Sequence, residues 1–202
     1  MRGERLHYSL ANEQGLDVLW GKPHVKHKSN FKLIDVDLLR GYGGIAIGLI
    51  RQGEQQRFCD ISSLGQMSAF KIGRTVFDRK TDPFAKHQLN LVYAKKLGHV
   101  YRLLKQGYID ILPVELYGAY LHLDKNPELT VEKNLGFRTS RTSRYFIHKK
   151  NKKLQARIER GLEILEDNGK FKTHFETHPM MALYQRYQNE PPRIEFDMSK
   201  KS

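Results

Sequence analysis

Apolar positions along the chain alternate between short continuous runs and stripes spaced three and four residues apart, which is the signature of strands interleaved with amphipathic helices. Arg5–Glu13 reads as a helix with Leu6 and Leu10 one turn apart, stopped by Gly15. Leu16–Trp20 (LDVLW) follows as a strand apolar enough to be buried on both faces. Lys22–Lys32 is a polar, basic loop, and Lys32–Leu39 reads as extended. Ile45–Ile50 (IAIGLI) is the next strand, closed by an Arg51-Gln52-Gly53 turn. Asp60–Met67 predicts a short capped helix, Ala69–Ile72 a strand, and the region from Thr81, with Pro83 in its first turn, another helix. Leu89–Tyr93 is strand-like.

The pattern sharpens further on. Leu97, Val100, Tyr101 and Leu104 share one face of a helix over Leu97–Gln106, with Gly107 placed as its terminator. Ile109–Val114 predicts a strand, Glu115–Leu123 a helix and Arg144–His148 a strand. Lys153–Asp167 carries Leu154, Ile158, Leu162 and Leu165 in one stripe and ends at Asn168-Gly169. A last helix carries Phe171 and Phe175. The tail from Pro191 is polar, with a short extended Ile194–Phe196. Strand-loop-helix repetition of this kind predicts an α/β fold with parallel or mixed sheets flanked by helices.

Composition adds limits. With 39% apolar and 28% charged residues the chain has a globular balance, and no apolar run is long enough to span a membrane. Cys59 is the single cysteine, so an internal disulfide and a cysteine-rich metal site are both excluded, and it is expected as a buried inert thiol. The opening MRGERLHYSLANEQG has no apolar core of the kind a signal peptide carries. The formal charge of +13 favours anionic partners but is spread along the chain, denser at 22–32 and 138–153.

Five segments, in this order and spacing, resemble the family-3 extracellular solute-binding proteins of amino-acid uptake systems. They are the helix-Gly-Leu-Asp-Val-Leu-Trp step at 5–20, LLRGYGGIAIGLIRQG at 38–53, DISSLGQM followed by FKIGRT, HVYRLLKQGYIDILPVELYGAYLHL at 99–123, and YFIHKKNKKLQARIERGLEILEDNGKFKTHFETH. The resemblance covers 5–187 and implies a two-lobed α/β fold of the type II periplasmic-binding-protein kind. Lobe 1 would comprise 1–43 and 144–187, lobe 2 would be inserted as 44–143, and 188–202 would be a polar tail. The hinges would fall near Gly41–Gly44 and Ser143–Tyr145. The family's opening strand-helix-strand has no counterpart in this sequence, so lobe 1 is expected to be incomplete and the chain N-terminally truncated.

The same resemblance implies a site and a function: closure of two lobes over a small polar or anionic solute. It further implies a periplasmic location, a membrane permease as partner, a monomer, and neither cofactor nor enzymatic activity. The family's ligand-gripping arginine is missing from the loop Lys22–Ser29, where Lys26 and His27 offer charge without a planar fork. That departure weighs against an α-amino acid as ligand. Arg74 and Thr75 stand at the strand-to-helix turn that the family uses for its ligand. Glu115 matches the family's amine-binding carboxylate, although it is equally placed to cap the next helix. Trp20 would wall the cleft or pack in the core.

Other chemistries have weaker signals. His174 and His178 are four apart on a helix, but the glutamate between them is not in the zinc-protease position and no third ligand is near; His24 and His27 are a second weak pair. No Gly-x-Ser-x-Gly elbow or phosphate loop is present. The rival readings are nucleic-acid binding through 138–153, where Tyr145 and Phe146 interleave with lysines and arginines, and a degenerate interaction domain that binds no solute.

Overall fold

The computed structural model describes residues 2–21, 29–76 and 82–200. The chain divides into two compact units, one made of 1–43 with 141–181 and the other of 44–140 with 182–202. The second segment of the first unit thus begins at Arg141, and the final twenty-odd residues belong to the second unit and are no free tail.

The first unit holds α1 (Arg2–Ala11), β1 (Val18–Gly21), β2 (Phe31–Leu33), β8 (Arg144–His148), α5 (Lys152–Asp167), α6 (Lys170–Thr177) and the start of α7 (Pro179–Asn189). Its sheet runs β1-β8-β2, antiparallel throughout, with Leu19 opposite Phe146 and Leu33 opposite the same residue from the other side. Phe146 is therefore the central residue of a small core with Leu10, Ala11 and Phe31. Placement at an edge explains why LDVLW is not buried on both faces as its composition suggested. Trp20 is 67% exposed. On the other side of this unit, Arg40 donates to both carboxylate oxygens of Glu166 and lies over the Phe171 ring, tying the loop before Gly41 to α5 and α6.

The second unit holds β3 (Ile45–Arg51), α2 (Leu64–Met67), β4 (Ile72–Thr75), β5 (Leu91–Ala94), α3 (Leu97–Lys105), β6 (Leu112–Glu115), α4 (Leu116–Leu123), β7 (Leu129–Arg138), the rest of α7 and β9 (Ile194–Asp197). Strands β6-β3-β7-β9 form one sheet, with β7 and β9 parallel and the other pairs antiparallel. Strands β4 and β5 pair in parallel, and a parallel bridge from Ile72 to Ile111 joins them to the start of β6. Ile50, Phe58, Met67, Ile72, Phe84, Ile111, Leu135 and Phe137 fill the core, and Phe196 of β9 and Met198 complete it.

Three local predictions change. The capped helix shrinks to Leu64–Met67, with Ser63 and Gln66 in a reciprocal capping box. The helix expected from Thr81 is one 3-10 turn over Pro83–Lys86, capped by Asp82. The single last helix is two, α6 and α7, because Pro179 cannot continue the first and opens the second.

Strand β7 had no strong sequence signal. Its pairing with β3 slips between Ile47 and Leu49, leaving Glu132–Leu135 as a bulge. Glu132, only 1% exposed, accepts hydrogen bonds from the Asn134 and Leu135 amides and from Gln55 Nε2. A buried carboxylate thus satisfies amides that the irregular ladder leaves over, and burial raises its pKa above the usual carboxylate range.

Candidate functional site

In open α/β sheets, ligands bind outside the carboxyl ends of parallel strands, where loops diverge and backbone amides are unpaired. In the second unit that edge is formed by the ends of β4, β5 and β6. Thr75 pairs with Ala94 at the last register position of β4 and β5, and Arg74 Nη1 donates to the Pro113 carbonyl of β6 at 3.2 Å. Arg74, Thr75 and Glu115 are thereby gathered at one end of the unit. Lys95 and Lys96, exposed immediately after β5, add positive charge there, a contribution that the strand-by-strand reading of the sequence missed.

Arg74 is already engaged. Its Nε and Nη2 donate to the two carboxylate oxygens of Asp82 at 2.9 and 2.7 Å, and its guanidinium stacks over the Phe84 ring at 4.4 Å. Asp82 also accepts from the Phe84 amide and the Tyr93 hydroxyl. An arginine held along its Nε/Nη2 edge by both oxygens of a buried acid positions the turn, and its charge is neutralised locally. Among the described residues, the helical piece that follows is one 3-10 turn at Pro83–Lys86, too short to supply a helix dipole to an anion.

Glu115 ends β6 and stands at the N-cap of α4, yet its side chain makes no capping hydrogen bond. Its Oε1 instead accepts from the hydroxyl of Tyr184, which is fully buried in α7. The carboxylate is half-buried, and its hydrogen-bond donor is a neutral hydroxyl.

The remaining candidates lie elsewhere. Trp20 belongs to the first unit, on β1 opposite Tyr145. Its exposure removes the core-packing role expected for it. Lys26 and His27, like His24, lie outside the described residues. His174 and His178 sit edge to face at 6.3 Å, and His178 Nδ1 accepts from the Met180 amide. Among the described residues no group of three or more metal-ligating side chains comes together. Cys59, expected buried, is partly exposed, its thiol beside the Asn134 amide. In the basic stretch 138–153, Phe146 is 1% exposed and cannot stack on a base, while Arg138 and Arg144 are paired with Glu195 and Asp35.

Comparison with solved structures places the fold. The chain is similar to holo ArgBP from T. maritima, with 16% identity over 91% of this chain and 74% of that one and a TM-score of 0.56. It is likewise similar to the amino acid ABC transporter substrate-binding protein AbpA from Streptococcus pneumoniae bound to L-arginine, with 16% identity over 84% and 70% and a TM-score of 0.57. An ancestral arginine-binding protein bound to glutamine matches at 15% identity over 86% and 75%, with a TM-score of 0.59. No family model matches the sequence, and no curated protein does. The chain therefore has the type II periplasmic-binding-protein fold, of which the amino-acid ABC transporter substrate-binding proteins are examples.

Proposed function

We propose that this chain is a solute-binding domain whose second unit receives the amine end of a small polar, amino-acid-like solute at the carboxyl ends of β4, β5 and β6. The observation that carries the reading is Glu115: a half-buried carboxylate at a strand end, not used to cap its helix and oriented by the Tyr184 hydroxyl. The exposed Lys95 and Lys96, which follow β5 at the same end of the unit, suit the carboxylate end of the same zwitterion. Support from outside the chain comes from the shared fold, since proteins of that fold are described as bound to arginine or glutamine. On this reading the chain binds rather than catalyses, acts in the periplasm and hands its solute to a membrane permease.

The neutralisation of Arg74 by Asp82 makes a purely anionic solute the poorer fit. Titration calorimetry with L-arginine, L-glutamine and glutarate tests this. An amine-bearing ligand is expected to bind, and Glu115→Gln is expected to weaken it roughly tenfold or more, the scale of one charge-assisted hydrogen bond. Unchanged affinity in the variant, or binding of glutarate as tight as that of the amino acids, would reject the role given to Glu115.

A further inference from the structure

Helix α5 carries its charge in the order its own dipole disfavours. Acids are stabilising in a first turn and bases in a last turn, because free amides point out of one end and free carbonyls out of the other. In α5 the first turn holds no acid and the last turn no base. Lys152 and Lys153 open the helix, Lys149 and Lys150 precede it in the turn out of β8, and Arg157 follows one turn after Lys153. The acids of the helix, Glu159, Glu163, Glu166 and Asp167, all come later.

The acidic end is compensated within the chain. Glu166 is held by Arg40 at 2.6 Å and Glu163 by Arg160 at 3.2 Å. The basic end is not. Lys149, Lys150, Lys152, Lys153 and Arg157 are all exposed, and none of their side chains makes an ion pair or hydrogen bond with a described residue. Asn151 already caps the helix by accepting from the Leu154 amide at 3.1 Å, so the distinguishing feature is the cationic side chains and not the free amides. Lys153 and Arg157, four apart, repel one another along the helix. From Lys152 to Arg157 the axis advances only about 8 Å, no farther than physiological salt screens a charge, so the cations act as one patch.

We propose that this patch is an interaction surface for an anionic bilayer, met by the first unit through the β8–α5 turn and the start of α5. Headgroups of negative charge relieve a crowding of cations that nothing in the described chain relieves, and each lysine near such a surface contributes about fivefold in affinity. Two features favour lipid over nucleic acid or an acidic protein segment. Four of the five cations are lysines, which meet a diffuse negative field as point charges and lack the planar fork that grips a single phosphate or carboxylate. Between Ile147 and Ile158 the sequence has no Phe, Tyr or Trp, so the segment supplies no such ring to stack on a base. The proposal uses neither Glu115 nor the strand ends of the second unit, and it stands apart from the solute reading.

Sedimentation of the full chain with vesicles tests it. Binding is expected to vesicles of equal parts phosphatidylglycerol and phosphatidylcholine, at least roughly tenfold weaker to phosphatidylcholine alone, and to fall as salt is raised. Lys152→Gln should weaken binding about fivefold. The combined variant Lys149→Gln, Lys150→Gln, Lys152→Gln and Lys153→Gln should abolish it while melting at or above the parent temperature, since it removes cations from a helix start. An equal loss of charge from exposed lysines of the second unit, Lys71→Gln, Lys86→Gln, Lys125→Gln and Lys133→Gln, should leave binding intact, as should Glu115→Gln. Equal loss of binding in the second-unit variant would reduce the effect to net charge and overturn the proposal. No binding to the anionic vesicles, or complete displacement from them by duplex DNA or polyglutamate at equal anionic charge, would overturn it as well.

Discussion

Arg74 and Asp82 form a two-pronged ion pair inside the second unit, with the Asp82 side chain fully buried and the arginine side chain 15% exposed. The pair joins the end of β4 to the 3-10 turn at Pro83, so the geometry of the candidate site depends on it. Asp82→Asn is expected to lower stability by about 3 kcal/mol, the usual result of leaving one charge of a buried pair uncompensated. Urea unfolding measures it, and a change below about 1 kcal/mol would mean that water reaches the pair freely.

Glu132 predicts a pH dependence of definite sign. Burial is the main cause of a folded-state pKa above the ordinary 4.5. The native state therefore keeps a proton that the unfolded state has released, and stability contributed at this position falls as pH rises from about 4.5 through the folded value. Unfolding curves across that window should show Glu132→Gln less dependent on pH than the parent chain. Parallel curves for the two proteins would count against it.

Gly136 lies where β7 is covered by α7 and the segment leading to β9. A Cβ there would run into the Tyr187 hydroxyl and reach Pro192 Cγ at 2.7 Å. Gly136→Ala is expected to destabilise by about 1–3 kcal/mol, as overpacking does elsewhere. It should also disturb the 2.7 Å hydrogen bond from Tyr187 to Glu195. Gly98→Ala, in open space, should be neutral or slightly stabilising, since alanine outranks glycine in a helix.

Tyr184→Phe removes only the hydroxyl that donates to Glu115 at 3.4 Å. At so long a distance the stability change should stay near or below 1 kcal/mol. If the hydroxyl orients the carboxylate, affinity for an amine-bearing solute should fall a few-fold while the melting temperature barely moves. Equal loss of both would make Tyr184 a packing residue only.

Deletion of 194–200 should be far more damaging than loss of the surface pair Arg138–Glu195. The segment carries Phe196 and Met198 into the core of the second unit, whereas the pair is partly exposed and belongs to a class worth under about 1 kcal/mol. Circular dichroism melts of the deletion and of Arg138→Ala separate the two contributions.

Legibility in the sequence followed periodicity. The α3 stripe, IAIGLI and RYFIH were readable because burial there is regular, and the second unit's candidate residues came from the resemblance of FKIGRT and DILPVE to a family pattern. Strand β7 was not readable, because its buried Glu132 looks like a surface residue until the bulge it satisfies is known. Trp20 misled in the opposite direction, since an apolar run does not reveal that its strand lies at a sheet edge.

Most of the strands and helices (β7 and α7 aside), the exclusion of a disulfide and the α/β class were set by the sequence alone, through hydrophobic spacing and residue counts that need no partner to be read. Tertiary structure alone decided that the chain's last residues complete the second unit, that Arg74 is held by Asp82, and that Glu115 is bonded to Tyr184 rather than to its own helix. These are pairings between residues far apart or with several competing partners. Which partner a charged group finds depends on burial and approach angle, and neither is encoded in local spacing.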